Sequence, residues 1–326
     1  MQSNSYIPNI DLSSILEESS DSINYDLIAK NIKEASENIG FFTVTNHGIP
    51  ISKIENLLST CKKFFYLPKE EKIKIAPKKW NPNTDTVYRG YFPSEVNGKE
   101  GLDIGDPKLK PNMHDLLKKE KFEVNHDMSY LDPQWQATIN EYFDSIHNLG
   151  ILIFKTIIKA YSNNLDLAEK AFERPKTLST LRFNYYPKQE KPVEVSAQDG
   201  VALGCETHVD SGIMTILYQD KKGGLQVQNR HTGDWHDVPH DPNAFVINTG
   251  LALEYLTNGR MKATNHRVLF NQEERISIPF FFEPSYDFKL DPKCLEISES
   301  NIYNIENYED FLTNSLKKFI EYDRAN

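Results

Sequence analysis

The second half of the sequence consists of short runs of β-branched and aromatic residues, and this pattern limits the fold more than any other feature. From Leu178 onward, glycine, proline, asparagine and aspartate separate these runs, and such residues are typical of turns. The runs are STLRFNYYP, GIMTILYQ, GLQVQN, AFVINT, NHRVLF and RISIPFFFEP. Many short strands joined by frequent turns predict a jelly roll or a barrel.

The first half of the sequence shows helical periodicity instead. Apolar residues repeat at helical spacing over 28–39, where the pattern stops at Gly40, and again over 54–65. A third stripe over 133–161 predicts a helix of ~40 Å, which is long enough to cover a sheet. Helical spacing returns over 308–322. We therefore predict a mixed α+β protein, with N-terminal helices packed around a jelly-roll core and a C-terminal helix after it.

The 326 residues contain no internal repeat, linker or low-complexity tract. We expect one compact unit over 1–326, with an N-terminal helical and strand region at 6–120 and the jelly-roll core at 176–285. The net charge of −10 argues against nucleic acid or an anionic membrane as a partner. The sequence has neither a signal-peptide pattern nor a run near the ~18 apolar residues of a membrane span, so we expect a cytoplasmic protein. The oligomeric state is not fixed by the sequence, and a monomer is compatible with it.

His208 and Asp210 lie two positions apart in CETHVDSGIMTILYQ, a stretch that otherwise has the composition of a barrel strand. In a strand, residues i and i+2 point to the same face, so this imidazole and this carboxylate would converge. A metal site needs at least one more ligand, and His266 is favoured because its strand is followed by a short turn and another strand. Three histidines in RHTGDWHDVPHDP offer an alternative zinc site, although their spacing matches no common zinc pattern.

Arg275 and Ser277 form a second i, i+2 pair, on the strand after His266. A guanidinium and a hydroxyl presented together can bind a carboxylate through charge-assisted hydrogen bonds. If the two strands are neighbours, this carboxylate site would lie beside the metal. Two histidines and one aspartate leave three coordination positions open, which is the ligand set of non-haem Fe(II) oxygenases.

These residues, together with GFFTVTNHGI near the start and LRFNYYP, resemble the 2-oxoglutarate and Fe(II)-dependent oxygenases of the isopenicillin N synthase type. The resemblance covers nearly the whole chain, from residue 7 to about residue 284. It implies a double-stranded β-helix and an enzyme that uses Fe(II), with 2-oxoglutarate and O2 as cosubstrates. It also implies that the catalytic metal ligands are His208, Asp210 and His266, and that the distal carboxylate of 2-oxoglutarate is bound by Arg275 and Ser277.

Further residues match the family's pattern less specifically. Asn184 and Tyr186 match positions that approach the cosubstrate in relatives, but both are also ordinary in a barrel core. Arg89 and Tyr91, in VYRGYFP, fall in a region that faces the active-site mouth in relatives. An anionic substrate would suit Arg89, and the alternative is a surface or structural arginine. We predict a small substrate that is carboxylated or amino-acid-like, as in specialised metabolism.

The resemblance implies hydroxylation as the default reaction, while desaturation and oxidative ring closure begin with the same hydrogen abstraction. One alternative is an oxidase like isopenicillin N synthase itself, which uses no 2-oxoglutarate and in which the arginine and serine bind the substrate's carboxylate. Another alternative is a non-catalytic protein that binds a small molecule on the same fold. The complete set of three metal ligands argues against the binding protein, because a binding protein has no need of them.

Overall fold

The short strands assemble into two β-sheets. The computed structural model describes residues 6–16, 22–84, 86–94, 98–109, 125–126, 128, 130–192 and 195–316. The strands in these ranges are β1 (Asn9–Asp11), β2 (Phe41–Thr45), β3 (Gly90–Phe92), β4 (Glu100–Ile104), β5 (Thr180–Tyr186), β6 (Leu203–His208), β7 (Met214–Gln219), β8 (Leu225–Gln228), β9 (Trp235–Asp237), β10 (Ala244–Thr249), β11 (His266–Leu269) and β12 (Arg275–Phe282). The larger sheet has the order β1-β2-β10-β7-β12-β5-β4-β3, and the smaller sheet has the order β6-β11-β8-β9.

Side chains of the larger sheet alternate between the helices and the barrel interior, because successive strand residues point to opposite faces. The helix-facing residues of β12 are Ile276, Ile278, Phe280 and Phe282. A second apolar cluster joins Leu217 and Val246 of the larger sheet to Leu225 and Val268 of the smaller one. The two sheets therefore pack face to face around an interior, which is the predicted jelly roll, or double-stranded β-helix.

Helices cover the outer face of the larger sheet. They are α1 (Ser13–Leu16), α2 (Ser22–Asn38), α3 (Ile51–Phe65), α4 (Lys69–Ile73), α5 (Pro133–Lys159), α6 (Leu167–Ala171), α7 (Leu251–Leu256) and α8 (Tyr308–Leu316), with a 3-10 helix at Pro292–Leu295. Asp132 caps α5 by accepting a hydrogen bond from the backbone N–H of Gln134. A Cβ atom at Gly150 would lie 2.6 Å from the ring of Phe282, so a glycine is needed where α5 meets β12.

The helices predicted over 28–39, 54–65 and 133–161 are confirmed in α2, α3 and α5. Gly40 ends the α2 segment with a φ of 80°, a left-handed conformation that favours glycine. The C-terminal helix is confirmed as far as Leu316, and the rest of that prediction lies outside the described residues. The proposed domain boundaries remain predictions. Among the described residues, no helix is both long enough and apolar enough to cross a membrane.

Candidate metal and carboxylate site

The three predicted metal ligands lie together, two of them at facing ends of neighbouring strands and the third in a loop. His208 is the last residue of β6 and pairs directly with His266, the first residue of β11. The Nε2 atoms of these histidines lie 3.5 and 3.7 Å from Oδ1 of Asp210. Donors on adjacent corners of an octahedron with bonds of ~2.1 Å lie ~3 Å apart. All three donor atoms lie within 4.8 Å of one another, so this group could hold a metal ion.

Asp210 reaches this group by a route that differs from the prediction. Strand β6 ends at His208, and β7 begins only at Met214, so Asp210 lies in the connecting loop and not in a strand. The loop brings Asp210 back over the barrel interior. Its backbone is held by the first turn of α7, where Leu251 N donates to Asp210 O (2.9 Å) and Ala252 N donates to Ser211 O (3.0 Å).

Each ligand has its other polar atom fixed by the protein. Nδ1 of His208 lies 2.7 Å from the carbonyl oxygen of Glu206, and Nδ1 of His266 lies 3.1 Å from that of Thr264. A carbonyl can only accept, so each Nδ1 carries a proton, and Nε2 is the atom of each ring that can bind a metal once it is deprotonated. Oδ2 of Asp210 accepts hydrogen bonds from two neighbours, while Oδ1 points to the histidines. These neighbours are Thr215 on β7 and Asn248 on β10, the latter at 2.8 Å.

The protonation states of Asp210 and His266 suit metal binding, whereas His208 must lose a proton before it binds a metal. Burial raises the pKa of Asp210, but the nearby imidazoles and the Thr215 hydroxyl outweigh burial, and the net pKa lies well below its ordinary value. Burial lowers the pKa of His266 to about 4. Burial also lowers the pKa of His208, but its contacts with Cys205 and Asp210 outweigh burial and raise the pKa overall. Without a metal, the group therefore keeps an ionised Asp210 and a neutral His266 at pH 7.

The predicted carboxylate site lies on the opposite sheet. β11 and β12 belong to different sheets and are not neighbours, and β12 faces the metal ligands across the barrel interior. Antiparallel pairing of β12 with β5 places Arg275 opposite Tyr186 and Ser277 opposite Asn184. Directly opposed residues share a face, so all four predicted cosubstrate residues lie on one patch of the interior.

Arg275 has open hydrogen-bonding capacity in this patch. Its side chain is 1% exposed, its Nε donates to Gly223 O (2.6 Å), and its guanidinium lies 4.8 Å from the centre of the Tyr186 ring. Both terminal nitrogens, and Oδ1 of Asn184, have no hydrogen-bond partner. A buried guanidinium with unused N–H groups is costly unless an anion binds to it. The residues present therefore fit a carboxylate ligand at Arg275.

The structure separates the two predicted substrate residues. Arg89 is buried, not on the surface, and donates to Thr180 Oγ1 (3.1 Å) and Leu178 O (3.2 Å). Tyr91 lies on the helix-facing side of β3, where it packs in the main core and its hydroxyl donates to Glu100. This position gives no support to a substrate-binding role for Tyr91. Two-residue alternation accounts for this position, because Phe92 and not Tyr91 shares the inner face.

The alternative histidine cluster does not converge. The ring of His236 stacks on Tyr6 at 3.9 Å, His240 Nδ1 lies 3.1 Å from Gln219 O, and His231 is exposed. In the part of the chain that the structure describes, the group formed by His208, Asp210 and His266 is the one that could hold a metal. Sequence reasoning missed Thr215 and Asn248, because polar residues inside otherwise apolar strands were treated as strand composition.

Comparison with known proteins agrees with this geometry. The model of the 2OG-Fe(II) oxygenase superfamily matches residues 177–284, and the model of the N-terminal region of non-haem dioxygenases in morphine synthesis matches residues 7–143. A 2-oxoglutarate-Fe(II) type oxidoreductase of Emericella nidulans is 30% identical over 318 residues, which cover 91% of this chain and 86% of that protein. The chain belongs to the 2OG-Fe(II) oxygenase superfamily.

Other members of this superfamily match over almost their whole length. Isopenicillin N synthase of Streptomyces jumonjinensis is 26% identical, over 96% of this chain and 95% of that enzyme. The crystal structure of a full-length Neurospora crassa protein in complex with alpha-KG and 5-formyluracil superposes with a TM-score of 0.81 at 26% identity, covering 98% of each chain. The protein is thus an oxidoreductase of the class that uses Fe(II), 2-oxoglutarate and O2.

Proposed function

We propose that this protein is a dioxygenase that oxidises a C–H bond of a small metabolite, with Fe(II) bound by His208, Asp210 and His266. The observation that carries the proposal is the pairing of two features across one interior. Three donor atoms converge within 4.8 Å on one side. On the other side, Arg275 presents two buried nitrogens without partners. A metal and a carboxylate are the ligands that these two features require.

Each residue has a distinct role in the proposed mechanism. Arg275 and Ser277 bind the distal carboxylate of 2-oxoglutarate, while Asn184 and Tyr186 line the same pocket. Thr215 and Asn248 hold Asp210 so that Oδ1 remains available. Bound Fe(II) supplies the chemistry that couples decarboxylation of 2-oxoglutarate, to succinate and CO2, with oxidation of the substrate. The apolar walls of the interior exclude water from this reaction.

For the substrate, we propose a small carboxylated or amino-acid-like molecule, with hydroxylation as the default reaction. Similar solved structures support a small molecule, because the Neurospora crassa protein is bound to 5-formyluracil or thymine and another relative is bound to JA. The acidic net charge supports the absence of a nucleic acid partner. Desaturation and ring closure follow from the same site if the oxidised carbon loses a second hydrogen or bonds to another atom.

A cosubstrate-free oxidase is the second candidate, favoured by the match to isopenicillin N synthase over 95% of its length. One experiment separates the two. The protein is titrated anaerobically with Fe(II) and 2-oxoglutarate while the charge-transfer absorption of the complex is recorded, and O2 is then admitted with a metabolite panel. Succinate formed in proportion to an oxidised product supports the dioxygenase. Product without succinate supports the oxidase.

A further inference from the structure

The interior face of β12 continues past the carboxylate site to a second polar position. Residues that share a face with Arg275 recur every second position and end at Glu283, directly after the strand. Eight residues at ~3.3 Å each place the two ends ~26 Å apart. Thr215, which holds Asp210, lies directly opposite Phe281. The metal ligands therefore lie between the two ends and nearer to Glu283.

Glu283 and Arg89 form an incompletely paired group at this second end. Their side chains are 5% and 3% exposed, yet Oε2 of Glu283 and Nε of Arg89 have no hydrogen-bond partner. The charge of Arg89 and the hydroxyl of Tyr308 both act on Glu283, but neither forms a hydrogen bond with its Oε2. Buried polar groups without hydrogen-bond partners lower the stability of the fold. Buried nitrogens without hydrogen-bond partners also occur at Arg275, in the proposed cosubstrate pocket.

This group lies next to the loop that carries a metal ligand. A Cβ atom at Gly212 would be 3.3 Å from Cγ of Glu283 and 3.7 Å from its Oε1. Gly212 follows Asp210 by two residues, so the Glu283 side chain packs against the Asp210 loop. A molecule that contacts Glu283 would therefore lie beside the metal ligands, on the side opposite to Arg275.

The available hydrogen-bonding groups define what could bind. Two terminal nitrogens of Arg89 donate to Thr180 and Leu178, and its Nε–H has no partner. Burial raises the pKa of Glu283 to about 8, so its carboxyl group is largely neutral at pH 7, and its carbonyl oxygen remains an acceptor. A second arginine nearby, Arg182, forms a bidentate pair with Asp103 through Nε and one terminal nitrogen. The unpartnered Nε–H of Arg89 and the unpartnered oxygen of Glu283 complement a neutral group that has one acceptor and one donor.

We infer that Glu283 and Arg89 recognise the substrate of the proposed dioxygenase through an N–H beside a C=O, as in an amide, lactam or imide. Glu283 accepts from the N–H, and Arg89 donates to the C=O. The ring of Phe281, on the same inner face, provides an apolar surface for the rest of such a group. This inference rests on the proposed function, which it narrows to a substrate class.

The test uses paired probes that differ only in the N–H. 2-Piperidone and thymine are compared with 1-methyl-2-piperidone and 1,3-dimethylthymine, which keep the C=O but lack the donor. Binding is measured by calorimetry on the full chain, and by the change in the Fe(II)–2-oxoglutarate absorption band. We expect N-methylation to weaken binding about tenfold or more in the wild type, because it leaves the Glu283 acceptor unpaired.

Two variants assign this preference to Glu283. Glu283→Gln keeps a neutral acceptor at the same place and should keep the N–H preference, whereas Glu283→Leu should bind both members of each pair equally. The Leu variant should melt no lower than the wild type, because an apolar side chain replaces an unpaired buried carboxyl group. Glu141→Leu, an exposed position on α5, is the control and should behave as the wild type.

The inference and the proposed function can fail separately. If neither N–H probe binds by calorimetry, or if Glu283→Leu keeps the N–H preference, the inference is wrong even when the absorption band is normal. If 2-oxoglutarate gives no band with the iron-loaded wild type, the proposed function fails, and calorimetry still decides the inference. Equal 2-oxoglutarate affinity in wild type and Glu283→Leu is also required, because Glu283 lies far from Arg275.

Discussion

The two faces of the larger sheet differ in how their polar groups are paired. On the helix-facing side, Tyr91 and Lys72 are buried, and both bond to Glu100. On the barrel-facing side, Arg275 and Glu283 are equally buried but retain atoms without partners. Burial and polarity are therefore similar on the two faces. For these four side chains, the difference is hydrogen-bonding capacity that the protein leaves unused on the barrel-facing side, and the predictions below test that distinction.

The largest effect is expected for Asp210→Ala and His266→Ala. Either change removes one of three converging donors, so iron binding and turnover should be lost. The fold should persist, since His266 lies at a strand end, Asp210 lies in a loop, and neither belongs to the main core. Metal analysis measures iron binding, and circular dichroism shows whether the fold persists. Full iron occupancy in His266→Ala would refute the metal site, and exposed His231→Ala is the control.

Arg275→Ala should weaken 2-oxoglutarate binding by at least ~30-fold, since removing one partner of a buried charge pair typically costs ~2 to 5 kcal/mol. Arg275→Lys should be milder, because it keeps the charge but loses the planar guanidinium. Iron affinity should stay the same. Anaerobic titration of the charge-transfer band measures both, with Arg260→Ala as a control on a half-exposed arginine. Unchanged affinity in the Ala variant would favour the oxidase that uses no 2-oxoglutarate.

Asn248→Ala should lower iron affinity about tenfold, because Asp210 loses the 2.8 Å hydrogen bond that helps to orient its carboxylate. The Thr215 bond remains, so turnover at saturating iron should largely recover. Activity measured against Fe(II) concentration distinguishes a lower iron affinity from a lower turnover at saturating iron. An unchanged iron requirement would mean that Thr215 alone positions Asp210. Asn243→Ala, outside the barrel interior, is the control.

Tyr91→Phe tests the helix-facing side and should have the smallest effect on function. The variant loses one hydrogen bond to Glu100, which keeps its ion pair with Lys72 at 2.6 Å. We expect unfolding by urea to show a loss of ~1 kcal/mol. Turnover should stay within about twofold of the wild type. A selective rise in the KM for substrate, with stability unchanged, would restore the sequence-based prediction that Tyr91 binds substrate.

The barrel and the Arg275 end of the site could be predicted because their residues follow strand periodicity. Arg275 and Ser277 stand two apart on a true strand, and their partners across β5 occur in the NYYP motif. Asp210 was identified correctly as a neighbour of His208, although a loop and not a strand places it there. Two-residue periodicity predicts which face of a sheet a side chain occupies only within a strand. The position of Asp210 in its loop could therefore not be predicted from the sequence.

The Glu283 end of the site could not be predicted from the sequence. Glu283 follows β12 in FEPS, where a carboxylate next to a proline is typical of an exposed turn. Its burial depends on Gly212 and Arg89, which are remote in sequence. Arg89 was equally ambiguous, because an isolated loop arginine is usually exposed. Both Glu283 and Arg89 are buried because of packing against residues that are remote in sequence.

The hydrogen bonds from α7 to the Asp210 loop have a consequence for how the protein matures. Leu251 and Ala252 hold the carbonyls of Asp210 and Ser211 through backbone atoms alone, and these bonds need no metal. Small zinc modules, by contrast, have no preformed site and stay unfolded until the ion arrives. Here synthesis and folding can be complete before iron is delivered. Iron then stabilises the protein only by mass action, by about 2.7 kcal/mol at a hundredfold excess over its Kd. A chelator should therefore inactivate the enzyme reversibly and leave a folded chain that can be reloaded.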